Sequence, residues 1–219
     1  MVRFGVDEAG KGPVFGSMFA AAVCVEERGH LPDGIADSKR LAPARREALA
    51  ATLRGDDRIR VGVAEIPVDV IDDPATDMNT LAVEAHAAAI DDAIGDAGIG
   101  SAIEGLCDAC DTDAGRFARR VADACETAVA LEARHGADDE SPIVGAASIV
   151  AKVERDAHVA ALAADYGEVG SGYPSDPRTR GFLEEYVDEH GSLPPFARES
   201  WSTCADVLAA ASQTGLDQF

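Results

Sequence analysis

The sequence predicts an α/β fold: one mixed sheet with helices packed on it, followed by a small helical C-terminal domain. Three observations carry this reading. Short runs rich in Val, Ile and Ala alternate with longer Ala- and Leu-rich stretches as far as Gly167. Beyond Gly167 the chain turns to Gly and Pro punctuation and then to helical patterns only. Hydrophobic residues make up 47 % of 219 residues, enough for a buried core and too many for a disordered chain.

The elements follow in order. "VRFGV" reads as a first strand and "SMFAAAVCV" as a second, joined through a glycine-rich turn. "APARREALAATLRG" is helical and stops at Gly55. "RIRVGVAEIPV" alternates and reads as a third strand, and "MNTLAVEAHAAAIDDAIGDAG" as a long helix ending on glycine. "SAIEGLC" is a short strand ending on Asp108, "GRFARRVADACET" a helix, and "AVALEARHGA" a strand leading to Asp138. "PIVGAASIVAKVERDAHVAALAADYG" is one long helix. "RTRGFLEEYVDEHG" and "FARESWSTCADVLAAAS" then give two helices separated by "SLPP". The expected organisation is a catalytic domain over residues 1–167, a helical domain over 168–212 and a tail over 213–219.

No run of about 18 apolar residues appears, and the N-terminus lacks a basic segment with an apolar core, so a cytoplasmic protein is expected. The formal net charge is -21 and the acidity is spread over the whole length. Such a surface suits molar salt, as in proteins of extreme halophiles, because at about 1 M the Debye length falls to ~3 Å and self-repulsion is screened. The charge therefore says little about partners. Five cysteines include the pair Cys107 and Cys110, but no second pair completes a zinc site, so buried thiols are expected. The chain has only three lysines, Lys11, Lys39 and Lys152, in "AGKGP", "ADSKRL" and "AASIVAKVERD". On a surface otherwise purged of lysine, these positions point to chemistry.

Asp7 and Glu8 follow an apolar strand and precede "AGKGP", so they are expected where that strand ends. Adjacent strand residues point to opposite faces, so both serve one site only if the strand terminates or bulges there. Asp108 and Asp138 are expected at strand ends too. Carboxylates meeting from several strand ends cannot all ionise without a cation. Hard oxygen donors select Mg²⁺ or Mn²⁺, and two such ions about 3.5–4 Å apart can activate water and stabilise a leaving oxygen of a phosphodiester.

"GVDEAGKGPVFG", "ADSKRL", "CDACD", "HGAD" with "PIVGAASIVAKVERD", "GSGYPSDPRT" and "FARESW" occur in this order over about residues 2–203. Together they make the chain resemble ribonuclease HII, especially its archaeal members. The resemblance implies a ribonuclease H-like mixed sheet flanked by helices, with a small C-terminal helical domain. It implies hydrolysis of the RNA strand of RNA–DNA hybrids and incision 5′ of ribonucleotides embedded in duplex DNA, leaving 3′-hydroxyl and 5′-phosphate ends. The metal-binding catalytic carboxylates would be Asp7, Glu8, Asp108 and Asp138. Asp138 is chosen over Asp139 and Glu140 by the spacing from Ala137 to Pro142. The Gly10-Lys11-Gly12 turn would contact the ribose 2′-hydroxyl, since glycine lets the main chain approach a sugar edge. Tyr173 would stack on the following deoxyribose. Ser38, Lys39, Ser148 and Lys152 look like phosphate contacts or support for them.

His86 is expected at the surface or in packing, and His135 stands three residues before Asp138. Trp201 is expected to pack the C-terminal helices onto the main domain, and Arg198 to face nucleic acid from there. The final "QTGLDQF" resembles a sliding-clamp-binding peptide through Gln213, Leu216 and Phe219, whose spacing puts Leu216 and Phe219 on one face of a helical turn. A monomer is expected. An acidic clamp-binding or DNA-mimicking module is the non-catalytic alternative.

Overall fold

A computed structural model describes residues 2–35, 41–95 and 103–216. Five strands, β1 (Val2–Ala9), β2 (Met18–Val25), β3 (Ile59–Ile66), β4 (Ile103–Asp108) and β5 (Ala130–Arg134), form one sheet in the order β3-β2-β1-β4-β5. β1 pairs antiparallel with β2, and β2 with β3, whereas β1–β4 and β4–β5 are parallel. The helices are α1 (Pro43–Gly55), α2 (Val68–Ile71), α3 (Met78–Ile94), α4 (Ala114–Ala124), α5 (Ala137–Glu140), α6 (Pro142–Tyr166), α7 (Pro177–His190) and α8 (Ser202–Leu216). The strand and long-helix order is the expected one. The two four-residue helices α2 and α5 are additions, too short for a periodic signal.

The period-two pattern of β1 and β2 builds two cores. Val2, Phe4 and Val6, with Met18, Ala20, Ala22 and Cys24, face α3 and α4 and meet Leu81, Ile90 and Phe117. Ala21, Val23 and Val25 face α1 and α6 and meet Leu53, Val144 and Ile149. β2 is buried on both faces along its whole length, which its small Ala and Val side chains permit. Gly5 lets α6 lie directly on β1, because a Cβ there would sit 2.5 Å from the Ile143 carbonyl group. That close approach brings the polar residues of α6 to the end of β1.

α7 and α8 build a third core on the β1–β2 connection. Val14 and Phe15 pack with Val169, Leu183, Phe196 and Cys204, and Phe15 meets Phe182 and Phe196 edge-on. Main-chain bonds stitch the two parts: Val14 N–H to the Gly172 carbonyl, Gly16 N–H to that of Phe196, and Arg198 N–H to that of Val14. Trp201 packs between this core and the α3 side, as expected. Among the described residues no helix is long and apolar enough to cross a membrane.

Candidate active site

Parallel strands β1 and β4 end on the same edge of the sheet, which is where open α/β sheets bind ligands. β1–β4 pairing stops at Val6↔Cys107, while β1 stays paired with β2 through Ala9. Asp7 and Glu8 therefore lie inside a regular strand that overhangs β4, and not at a strand end. No bulge brings them to one face. Asp7 continues the α6 face and Glu8 the α3 face, and both reach the site because β4 no longer covers that edge of β1.

Asp108 ends β4, as expected, and its Oδ1 accepts the Ala137 N–H at 2.7 Å. Asp138 lies not at the end of β5, which stops at Arg134, but in the short helix α5. The left-handed Gly136 (φ 70°) turns the chain back so that α5 presents it.

The four carboxylates are electrostatically joined. Burial, then the charges of Glu8 and Asp108, hold the Asp7 carboxyl well above the usual carboxylate range, against a hydrogen bond from Ser148. Burial raises Asp108 too, with Asp138 and Glu8 adding to it, against the bonds from Ala137 and Gly136. Burial also works to raise Glu8, but the hydrogen bond and charge of His86, with Lys11 and Cys110, outweigh it and hold Glu8 low.

Each carboxylate has a support. Ser148 and Lys152 lie four residues apart on one face of α6; Lys152 Nζ donates to Ser148 Oγ at 2.7 Å and stands 3.9 Å from Asp138 Oδ2. His86 is not at the surface: it is fully buried on α3, its Nε2 2.8 Å from Glu8 Oε2 and its ring edge-on to Phe117. His86 Nδ1 is buried with no hydrogen-bond partner among the described residues. Nε2 faces the carboxylate, which can only accept, so the proton between them is donated by His86 to Glu8.

Lys11 turns its ammonium inward, donating to Asn79 Oδ1 and the Cys110 carbonyl, both at 2.9 Å. His135 is tied by Nδ1 to the Ala109 carbonyl at 3.1 Å. Burial, with the charge of Glu8 next, pushes the Cys110 thiol up to about 12.

Beside the carboxylates lies a cleft of about 430 Å³, lined by Glu8, Gly10, Lys11, Gly12, Lys152 and Tyr173 among others. Tyr173 is 46 % exposed, free to present its ring. Ser38, Lys39 and Phe219 lie outside the described residues. α8 runs through Leu216, and Gln213 is exposed on it. Arg198 departs from expectation: it is fully buried and turned to main-chain carbonyls, not to solvent.

The sequence left His86 as surface or packing and Arg198 as facing nucleic acid; the structure puts His86 against Glu8 and Arg198 against the carbonyls of the glycine turn. His86 carried a signal, a polar residue at the spacing of the apolar face Ala82, Ala89 and Ala93. Arg198 carried none. Among the described residues, no three Asp, Glu, His or Cys side chains stand as a closed metal-binding group. The donors still fit a hard divalent cation: all four are carboxylates, and a bound positive charge relieves their mutual repulsion.

A family model for ribonuclease HII matches residues 4–204. The ribonuclease HII of Haloarcula marismortui is 60 % identical over 218 residues, covering 100 % of both chains. The crystal structure of ribonuclease H2 from Pyrococcus horikoshii OT3 superposes with a TM-score of 0.87 at 36 % identity, covering 97 % of this chain and 100 % of that one. The ribonuclease HII of Archaeoglobus fulgidus, solved in complex with PCNA, gives 0.82 at 34 % identity, covering 94 % and 96 %.

The mixed sheet with acids at its strand edge thus defines a ribonuclease H-like hydrolase. The chain belongs to the ribonuclease HII family, whose members are endoribonucleases acting on RNA–DNA hybrids.

Proposed function

We propose that this enzyme incises 5′ of ribonucleotides embedded in duplex DNA, as well as cutting RNA primers and longer hybrids, and that Asp7, Glu8, Asp108 and Asp138 hold its metal ions. The observation that supports the proposal is the electrostatic coupling of four carboxylates next to a cleft that Glu8, the glycine turn and Tyr173 line. Two Mg²⁺ or Mn²⁺ ions, when bound, would supply water activation and stabilisation of the leaving oxygen. Water adds across the P–O3′ bond: its oxygen goes to phosphorus, giving the 5′-phosphate, and the departing 3′-oxygen takes a proton.

The chain's own groups orient the substrate. The Gly10-Lys11-Gly12 main chain reads the ribose 2′-hydroxyl, the feature that separates RNA from DNA. Tyr173 stacks on the next deoxyribose. Ser148 and Lys152, with Ser38 and Lys39, support the phosphate side. Residues 1–167 supply the chemistry and residues 168–212 shape the cleft wall that carries Tyr173. Gln213, Leu216 and Phe219 dock a sliding clamp; the Archaeoglobus fulgidus relative was solved with one. The enzyme works as a monomer in the cytoplasm, in replication and repair.

The deciding assay is a duplex with one embedded ribonucleotide, in molar KCl with Mg²⁺ or Mn²⁺. Nicking on its 5′ side, abolished by EDTA, is expected. Cleavage of long hybrids with an intact single-ribonucleotide duplex would sink the proposal.

A further inference from the structure

The turn Gly10-Lys11-Gly12 is held from one side by its carbonyls. The Arg198 guanidinium donates from Nη2 to the Gly10 carbonyl at 2.6 Å, from Nη1 to that of Lys11 at 3.0 Å and from Nε to that of Gly16 at 2.8 Å. Trp201 Nε1 donates to the Gly12 carbonyl at 3.2 Å. The guanidinium carbon lies 4.9 Å from the Trp201 ring centroid, so the two donors form one plate. Arg155 of α6 flanks the plate, donating to the Phe15 carbonyl at 2.6 Å.

The direction of these bonds sets the direction of the amides. Every described peptide is trans, and in a planar trans peptide the C=O of one residue and the N–H of the next point opposite ways. Drawing the Gly10 and Lys11 carbonyls toward Arg198 turns the Lys11 and Gly12 N–H groups away from it. Arg198 is fully buried and does not line the cleft, whereas Gly10, Lys11 and Gly12 do. The side away from Arg198 is therefore the cleft side. There the Tyr173 ring stands beside Gly12, 3.7 Å from where a Cβ on that glycine would be. The residue after Gly12 is Pro13, which has no N–H, so the Lys11 and Gly12 amides, backed by Arg198, are the ones the turn can present.

We propose that Arg198 is a specificity-positioning residue, which presets the Lys11 and Gly12 amides for the ribose 2′-hydroxyl. The inference rests on the reading that this turn recognises that hydroxyl. Arginine suits the task because its planar fork reaches three carbonyls at fixed angles, and lysine, a point charge on a flexible stem, does not. The C-terminal segment that carries Arg198 and Trp201 thereby takes part in choosing the substrate.

The test uses the full chain in molar KCl with Mn²⁺. Two duplexes are compared, one with a single ribonucleotide and one with a 2′-deoxy-2′-fluoro nucleotide at the same position. The readout is the ratio of their kcat/KM values, with the melting temperature taken alongside. Arg198→Lys is expected to lower the ratio about tenfold, the size of one charge-assisted hydrogen bond. Trp201→Phe, which keeps the aromatic packing and removes one donor, is expected to lower it less. If Arg198→Lys does not fold, Arg198→Gln, which keeps a planar N–H donor for a single carbonyl, decides. A ratio unchanged in the variant that folds overturns the role of Arg198, even where both rates fall together. A wild-type ratio near one overturns the reading of the turn itself, and this inference with it.

Discussion

At the overhang of β1, buried carboxylates face one another, with Lys11 and Lys152 at their margin; behind the neighbouring turn, Arg155 and Arg198 lie buried against carbonyls. Both regions bury charge, yet their states differ. The acids push one another's pKa upward, so that region is incomplete until positive charge arrives from outside. The guanidiniums are also perturbed: burial brings Arg155 down to about 10 and Arg198 to about 9. Both values lie well above neutrality, so the guanidiniums stay charged and their donors are satisfied internally. One cluster lacks full compensating charge of its own and the other is closed by the chain's own carbonyls. In a chain of net charge -21, phosphate recognition cannot rest on a basic surface. In the proposed function it falls to bound cations and main-chain amides.

The sharpest way to break this contrast is Asp7→Asn. Turnover should fall by about 10³-fold or more, since several kcal/mol of metal-dependent stabilisation are at stake and each 1.36 kcal/mol is tenfold. The metal-free variant should nonetheless melt higher than metal-free wild type near neutral pH. The sign follows from linkage. A carboxyl whose folded-state pKa is raised contributes stability below the ordinary carboxylate range, and that contribution is lost as pH rises through the raised value. Calorimetry of both proteins from pH 4 to pH 8 without metal checks it: the gap should widen with pH, and a lower-melting Asp7→Asn would contradict it.

A smaller effect sharpens the comparison. His86→Ala removes the donor on Glu8 Oε2, and loss of such an outer partner costs about 10–100-fold in metal affinity or turnover. His86→Gln, which keeps an N–H donor, should recover part of the loss. Mn²⁺ titration by calorimetry separates the two variants; equal affinities in both would remove His86 from the metal side. The smallest effect belongs to a region outside both clusters. Deleting residues 213–219 should leave kcat and KM on a short duplex unchanged and abolish capture by an immobilised sliding clamp. Retained capture would sink the assignment of the tail.

Much of the fold was legible because its signals are local. Val- and Ile-rich runs, Gly55 and Gly167 after helices, and the Pro-punctuated linker place the long elements in order. The sheet order β3-β2-β1-β4-β5 was not legible, because nothing local says that β4 docks beside β1. Asp108 stood out as the end of a strand. Asp7 and Glu8 stood out by their neighbours, but a strand end was expected where the strand in fact continues. What frees them is that β4 is shorter than β1, and a partner's length is invisible in the strand itself. Arg198 was read as surface because charged residues rarely lie fully buried; three waiting carbonyls reverse that rule, and they lie up to 188 residues away.

By itself the sequence determined the α/β class, the acids and the glycine turn, because hydropathy period, turn chemistry and residue type act over a few positions. Only the tertiary structure decided that Asp7 and Glu8 lie on opposite faces of one continuing strand, that His86 bonds Glu8 and that Arg198 holds the carbonyls of the turn. The reason is physical: burying a charge or a polar ring is tolerable only where a partner from elsewhere in the chain meets it, and that meeting exists only once the sheet and helices have packed.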